Sequence, residues 1–213
     1  MGLKPGLRVL VTAGGDGIGR VIAETFASAG AHLHVCDVSD AALADCKSNF
    51  PDWGMTNCDV SDEGQVATLF EDVKSRLGGL DVLINNAGGS MWSRLDQLEN
   101  TAPLEQLMQL NYLSAAWCSY YALPALKKSR GQIVAVASVA GLTGVPTRTG
   151  YSAAKHAMMG FFDSLRIELA ADGVGVTIIA PDFVLSEIHQ RALGSDGEAL
   201  GESPLEARSG VMT

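Results

Sequence analysis

The chain has 213 residues, 47% of them hydrophobic, a net charge of −9 and four cysteines. This length suits one substantial core, and an acidic balance without any run of lysines or arginines argues against a nucleic acid or an anionic membrane as partner. Cys36, Cys46, Cys58 and Cys118 are scattered without metal-ligand or redox spacing, so they read as small buried hydrophobes in a reducing compartment, with no metal site.

The first apolar run, Arg8 to Thr12 (RVLVT), reads as a buried strand; the turn AGGDGIG and an apolar helical stretch over 18–29 follow. Glycines there let the backbone turn tightly and approach a pyrophosphate, whose charge would meet free N–H groups and the positive end of the helix. A second strand, 32–36, ends at Asp37, eighteen residues past Gly19, close to the roughly twenty expected for an acid that binds an adenosine ribose. A carboxylate there accepts from the ribose hydroxyls and repels a 2′-phosphate. VCDVSD holds no compensating cation and Asp16 adds negative charge, so NAD(H) is expected over NADP(H). The alternative for Asp37 is a turn or helix-capping acid.

Alternation continues with helix 40–48, strand 54–58, helix 62–76, strand 80–84, helix 102–128, strand 132–137, helix 150–171 and strand 174–180. No linker interrupts it, which predicts a single α/β domain over 1–213: a doubly wound parallel sheet with helices on both faces. Its core would be 8–186, with 187–213 a substrate-loop region and tail. No strand-like run follows Ile179, so VGVTIIA is expected to leave an apolar sheet edge for the tail or a partner to cover. No basic-then-apolar leader precedes the first strand and no apolar stretch reaches the ~20 residues that span a bilayer, so a cytoplasmic protein without membrane contact is expected. His32, His34 and His156 read as structural.

The densest chemistry lies between Ser138 and Lys155 (SVAGLTGVPTRTGYSAAK). Tyr151 and Lys155 are four apart at the start of a helical run, on one face and about one turn or ~6 Å apart. An ammonium near the phenol would favour the phenolate and make Tyr151 a general acid/base. Ser138 follows QIVAVA, at the C-terminal end of a strand, where ligands collect in open α/β sheets. The alternative is a solvated helix face with an incidental Tyr–Lys pair.

Together these motifs resemble the classical short-chain dehydrogenase/reductase family, over about Arg8 to Ser186. The glycine motif is TAGGDGIG (Thr12 to Gly19), the adenine-side pair Asp59-Val60, and the sheet-stabilising motif NNAG (Asn85 to Gly88). The resemblance implies a Rossmann-type fold and catalytic positions at Asn111 (in QLNYLSAA), Ser138, Tyr151 and Lys155. Tyr151 would exchange a proton with the substrate oxygen, Ser138 hold that oxygen, Lys155 lower the tyrosine pKa and bind the nicotinamide ribose, and Asn111 anchor a proton-relaying water. NAD contacts are implied at Thr12, Gly15, Asp16, Gly17, Ile18, Gly19, Asp37, Asp59, Val60, Asn86, Ala87, Gly88, Tyr151, Lys155, Pro181, Val184 and Ser186. The chain departs from the family at Ala13, where a glycine is usual, at Asp182, which replaces the glycine of a Pro-Gly pair, and in lacking the family's last helix and strand.

Met91, Trp92, Leu142, Val145 and Phe183 are expected to wall the pocket, favouring a hydrophobic secondary alcohol or ketone. Leu104, Leu107, Met108, Trp117, Tyr121, Met158, Phe161, Phe162 and Leu165 give two helices apolar surface, and the resemblance implies that such helices pair in a homodimer or homotetramer; the alternative is packing on the sheet. The rival functional readings are a non-catalytic NAD(H)-binding or redox-sensing protein and an inactive truncated dehydrogenase.

Overall fold

The structure, a computed structural model, describes residues 4–184 and 187–204. Six strands, β1 (Arg8–Thr12), β2 (His32–Asp37), β3 (Gly54–Asn57), β4 (Val82–Asn85), β5 (Gln132–Val136) and β6 (Gly175–Ile179), form one parallel sheet in the order β3-β2-β1-β4-β5-β6. The order reverses between β1 and β4, which opens a crevice beyond their C-terminal ends. The helices are α1 (Gly17–Ser28), α2 (Asp40–Asn49), α3 (Glu63–Leu77), α4 (Ala102–Leu107), α5 (Ser114–Ser129) and α6 (Thr149–Glu168).

Alternation along each strand sends side chains to two cores. Val9 and Val11, with Leu33 and Val35, pack beneath α1 and α2 through Ala23 and Leu43. Leu10, Leu83 and Ile133 face the opposite way, against Val66 and Leu69 of α3, Cys118 and Leu126 of α5, and Met158 and Phe162 of α6. Caps fix the helix ends: Asp62 accepts from the N–H groups of Gly64 and Gln65 to start α3, and Gly78, at φ 67°, ends it. The strand expected at 80–84 is observed at 82–85; Asp81, just before it, holds the Arg8 guanidinium bidentately.

The helix expected over 102–128 is interrupted. A wide π-helical turn, Met108–Leu113, joins α4 to α5, and Asn111 sits in it with its side-chain Nδ2 donating to the carbonyl of Leu107, one turn back. Of the apolar residues considered for pairing between subunits, Leu107, Met158, Phe162 and Leu165 are buried in the chain's own core, and half-buried Trp117, Tyr121 and Phe161 pack against it. Among the described residues β6 is an edge strand of the sheet, with Ile179 45% exposed.

Candidate active site

A cleft of about 380 Å³ runs along the C-terminal ends of the strands. At its first end the turn after β1 is built almost without side chains. A Cβ placed on Gly19 would stand 2.1 Å from the Ala13 carbonyl oxygen and 2.5 Å from Asn86 Nδ2, so only glycine lets α1 begin this close to the strand end. Asp16 caps α1 by accepting from Gly17 N at 2.7 Å and is bridged across the cleft mouth to Arg191 at 3.4 Å. Ala13 adopts φ 48°, a left-handed conformation that glycine takes without cost.

Asp16, Gly17, Ile18 and Gly19 line the cleft, as do Asp37, Asp59 and Val60 farther along. Asp37 ends β2 with its carboxylate accepting from Gly15 N at 3.1 Å and Ser39 N at 3.0 Å. The turn role is therefore real, and it orients the carboxylate in the cleft wall. Thr12 and Gly15 lie outside the lining. Thr12 is 1% exposed and its hydroxyl accepts from the N–H groups of Asn86 and Ala87, both at 3.0 Å, while Asn86 Nδ2 donates to the carbonyls of Thr12 and Ala13. These residues tie the end of β4 to the glycine turn; Asn86, Ala87 and Gly88 present the cleft side of that tie.

At the other end Ser138 caps a short turn after β5, accepting from Ala140 N, and with Tyr151 and Lys155 of α6 lines the cleft beside Pro181 and Val184. Ser186 lies outside the described residues. Tyr151 is 6% exposed; burial raises its pKa above the ordinary phenol value, against the Ser138 hydrogen bond and the Arg148 charge, which lower it. Lys155 Nζ lies 5.7 Å from the centre of the Tyr151 ring and donates to the Val136 carbonyl at 3.1 Å. Burial pushes that ammonium down to about 8. Asn111 is behind the lining, wholly buried: its Nδ2 donates to Gly89 and Leu107, while Oδ1 has no partner among the described residues.

A second cation beside Tyr151 is Arg148, a residue the sequence reading did not single out, and its charge also lowers the tyrosine pKa. It is 5% exposed and lines the cleft, with its guanidinium carbon 4.5, 5.1 and 5.8 Å from the ring centres of Trp92, Phe183 and Tyr151. Its Nη1 donates to Ser90 Oγ at 3.0 Å and Nη2 approaches His189 Nδ1 at 3.5 Å. The walls also differ from expectation. Val145 and Phe183 line the cleft, but Met91 is fully buried, its sulfur accepting from Gly150 N under the start of α6, Leu142 is exposed, and Trp92 stacks on Arg148 outside the lining.

Residues 8–195 match the short chain dehydrogenase family. The chain belongs to this family. Short-chain dehydrogenases are oxidoreductases that use NAD(P). Among the curated relatives it is 32% identical to dehydrogenase/reductase SDR family member 7B of Mus musculus, over 91% of this chain and 62% of that one. It is 35% identical to 11-beta-hydroxysteroid dehydrogenase-like 4A of Arabidopsis thaliana, over 83% of this chain and 60% of the relative. The chain thus spans about three fifths of the length of these two relatives. A solved short-chain dehydrogenase from Streptomyces avermitilis superposes with a TM-score of 0.77 at 29% identity, covering 81% of this chain and 65% of its own. The parallel sheet and its strand order are those of a Rossmann-type short-chain dehydrogenase.

Proposed function

We propose that this short-chain dehydrogenase interconverts a secondary alcohol and a ketone with NAD(H), using Tyr151 as the proton-transferring group. The observation that carries the reading is the convergence of Ser138 and Tyr151 on the dinucleotide cleft, with buried Lys155 one helical turn behind the tyrosine. The residues present suit the cofactor: a turn that excludes side chains, the N-terminus of α1 for a pyrophosphate, and the Asp37 carboxylate at the ribose end. Bound NAD(H) supplies the hydride, which no side chain can. Asp37, held by two backbone donors, favours ribose hydroxyls and disfavours a 2′-phosphate, which makes NAD the preferred form.

Ser138 Oγ orients the substrate oxygen. Tyr151, held protonated by burial, gives its proton to that oxygen in the reducing direction and takes it back in oxidation. Lys155 and Asn111 complete the relay. A Cβ on Gly88 would lie 2.7 Å from Asn111 Oδ1 and 3.4 Å from Lys155 Nζ, so both polar atoms converge on the space beside that glycine, and a water bridging them would satisfy the buried oxygen. Val139, Val145 and Phe183 give the substrate an apolar wall, in keeping with relatives named as hydroxysteroid dehydrogenase-like.

Tyr151→Phe tests the reading. Turnover is expected to fall by about 10³-fold or more, with NADH affinity, read by fluorescence titration, within a few-fold of wild type. Turnover that survives the substitution would rule out the proton transfer.

A further inference from the structure

Among the described residues that line the cleft, Asp16, Asp37, Asp59, Asp182 and Glu187 are carboxylates, against which stand the cations Arg148, Lys155 and Arg191. A dinucleotide adds the negative charge of its pyrophosphate, so the charge beside the glycine turn bears directly on its binding. Two of the cations belong to the β5–β6 end: Lys155 donates to the Val136 carbonyl, and Arg148 lies among the rings of Trp92, Phe183 and Tyr151. Of the three, Arg191 is the one that reaches the start of α1.

The backbone explains how it gets there. Arg191 closes a short turn that begins at Glu187, its N–H donating to the Glu187 carbonyl at 3.0 Å. The chain is pinned on both sides of it. Gly201 N donates to the Gln190 carbonyl at 2.9 Å and Leu200 N to the Ala192 carbonyl at 3.0 Å. Leu193 N donates to the Ser90 carbonyl at 2.9 Å, and the Leu193 carbonyl accepts from Trp92 N at 2.8 Å. A fixed strap therefore carries the Arg191 side chain, which is still 63% exposed as it crosses the cleft mouth to Asp16.

The contact leaves donors over. Asp16 uses Oδ1 to accept from Gly17 N, the first N–H of α1, and turns Oδ2 to Arg191 Nη2 at 3.4 Å. The same Nη2 bridges to Glu187, so both ion pairs hang on one nitrogen, and among the described residues Nε and Nη1 donate to no acceptor. These donors lie beside a helix end whose first N–H groups have no partner within the helix.

We infer that Arg191 is a cofactor-binding residue: it donates to the pyrophosphate of NAD(H), holds it against the N-terminus of α1, and offsets the Asp16 carboxylate that would otherwise repel it. The inference rests on the placement of NAD(H) in this cleft and adds to it a residue 175 positions along the chain from Asp16. A planar guanidinium can keep Asp16 on one nitrogen while its other donors take phosphate oxygens, and such charge-assisted bonds are the stronger kind.

The test is fluorescence titration of the full chain with NADH, with NADPH alongside and ADP-ribose and adenosine as competitors. Arg191→Gln should weaken NADH and ADP-ribose together by about tenfold, the scale of a charge-assisted hydrogen bond, and leave adenosine, which has no phosphate, within about twofold. Arg191→Lys should retain part of the affinity as a point charge. Asp16→Asn separates binding from tethering, because asparagine caps a helix as well as aspartate but breaks the ion pair. NADH is expected to bind this variant about threefold tighter, since a repelling carboxylate is gone. An Arg191 that only ties the strap to α1 would instead make Asp16→Asn lose as much affinity as Arg191→Gln. That result, an unchanged NADH affinity in Arg191→Gln, or an equal loss for adenosine would overturn the assignment and leave the NAD reading standing. A loss confined to NADPH would move the charge to a 2′-phosphate and overturn it as well. Wild-type protein that binds neither NADH nor ADP-ribose would overturn the NAD reading itself, and the inference with it.

Discussion

The two ends of the cleft are made in opposite ways. At the β1–β3 end the surface is backbone: glycines, N–H groups at the start of α1, and one carboxylate oriented by backbone donors. At the β5–β6 end it is side chain: a serine, a tyrosine, a lysine, and an arginine set among aromatic rings contributed by separate loops. The first end should fail when atoms are added, and the second when they are removed.

Gly19→Ala gives the sharpest test at the first end. The methyl would collide with the Ala13 carbonyl at 2.1 Å, so the variant is expected to lose NADH binding beyond detection and about 3 kcal/mol of stability in denaturant titration. Full NADH affinity in this variant would break the comparison.

Removal at the second end should cost activity and return stability. Lys155 is buried with a folded pKa of about 8, below the 10.5 of the exposed group. Between those values the unfolded chain binds the extra proton, so unliganded stability should rise as pH climbs from 8 to 10.5. At neutral pH the buried charge is unfavourable by up to about 3 kcal/mol. Lys155→Met should therefore abolish turnover yet stabilise the unliganded protein by about 1–2 kcal/mol, since the Val136 carbonyl loses its donor, and should flatten the rise above pH 8. A destabilised variant with an unchanged pH profile would show that this ammonium is not strained by burial.

Two smaller effects refine the picture. Asp37→Ser should narrow the proposed NAD over NADP preference by about tenfold, measured as the ratio of kcat/KM values, because a neutral group no longer repels a 2′-phosphate. An unchanged ratio would move discrimination elsewhere. Ala13→Gly should relieve the left-handed alanine, offset by the greater freedom of the unfolded chain, for a net gain of up to ~1 kcal/mol in thermal unfolding. A loss would mean that the Ala13 methyl packs more usefully than its backbone is strained.

The same contrast explains what could be read beforehand. Backbone sites announce themselves locally: a strand, a glycine turn and a terminal acid occupy Arg8 to Asp37 in unbroken order, and strands and helices follow within one to three residues of expectation. Ser138, Tyr151 and Lys155 were legible for the same reason, since one strand end and one helix carry them. Arg148 and His189 belong to no periodic segment, and they meet only because residues 90–93, 145–151 and 189–199 are stitched by backbone hydrogen bonds across the chain. Met91 misled because a methionine after a strand looks like a pocket wall until α6 draws it inward.

The wide turn holding Asn111 has a geometric consequence of its own. Pro103, Leu107, Asn111, Ala115 and Ser119 are all buried, at an unvarying interval of four. On a uniform α-helix four such steps would walk about 160° around the axis and carry the last residue into solvent. Slack of roughly one residue in the winding takes up most of that rotation, so a single-residue deletion between 108 and 113 would give the helix a regular pitch with both flanking stretches still facing the sheet, and would change only the local setting of Asn111.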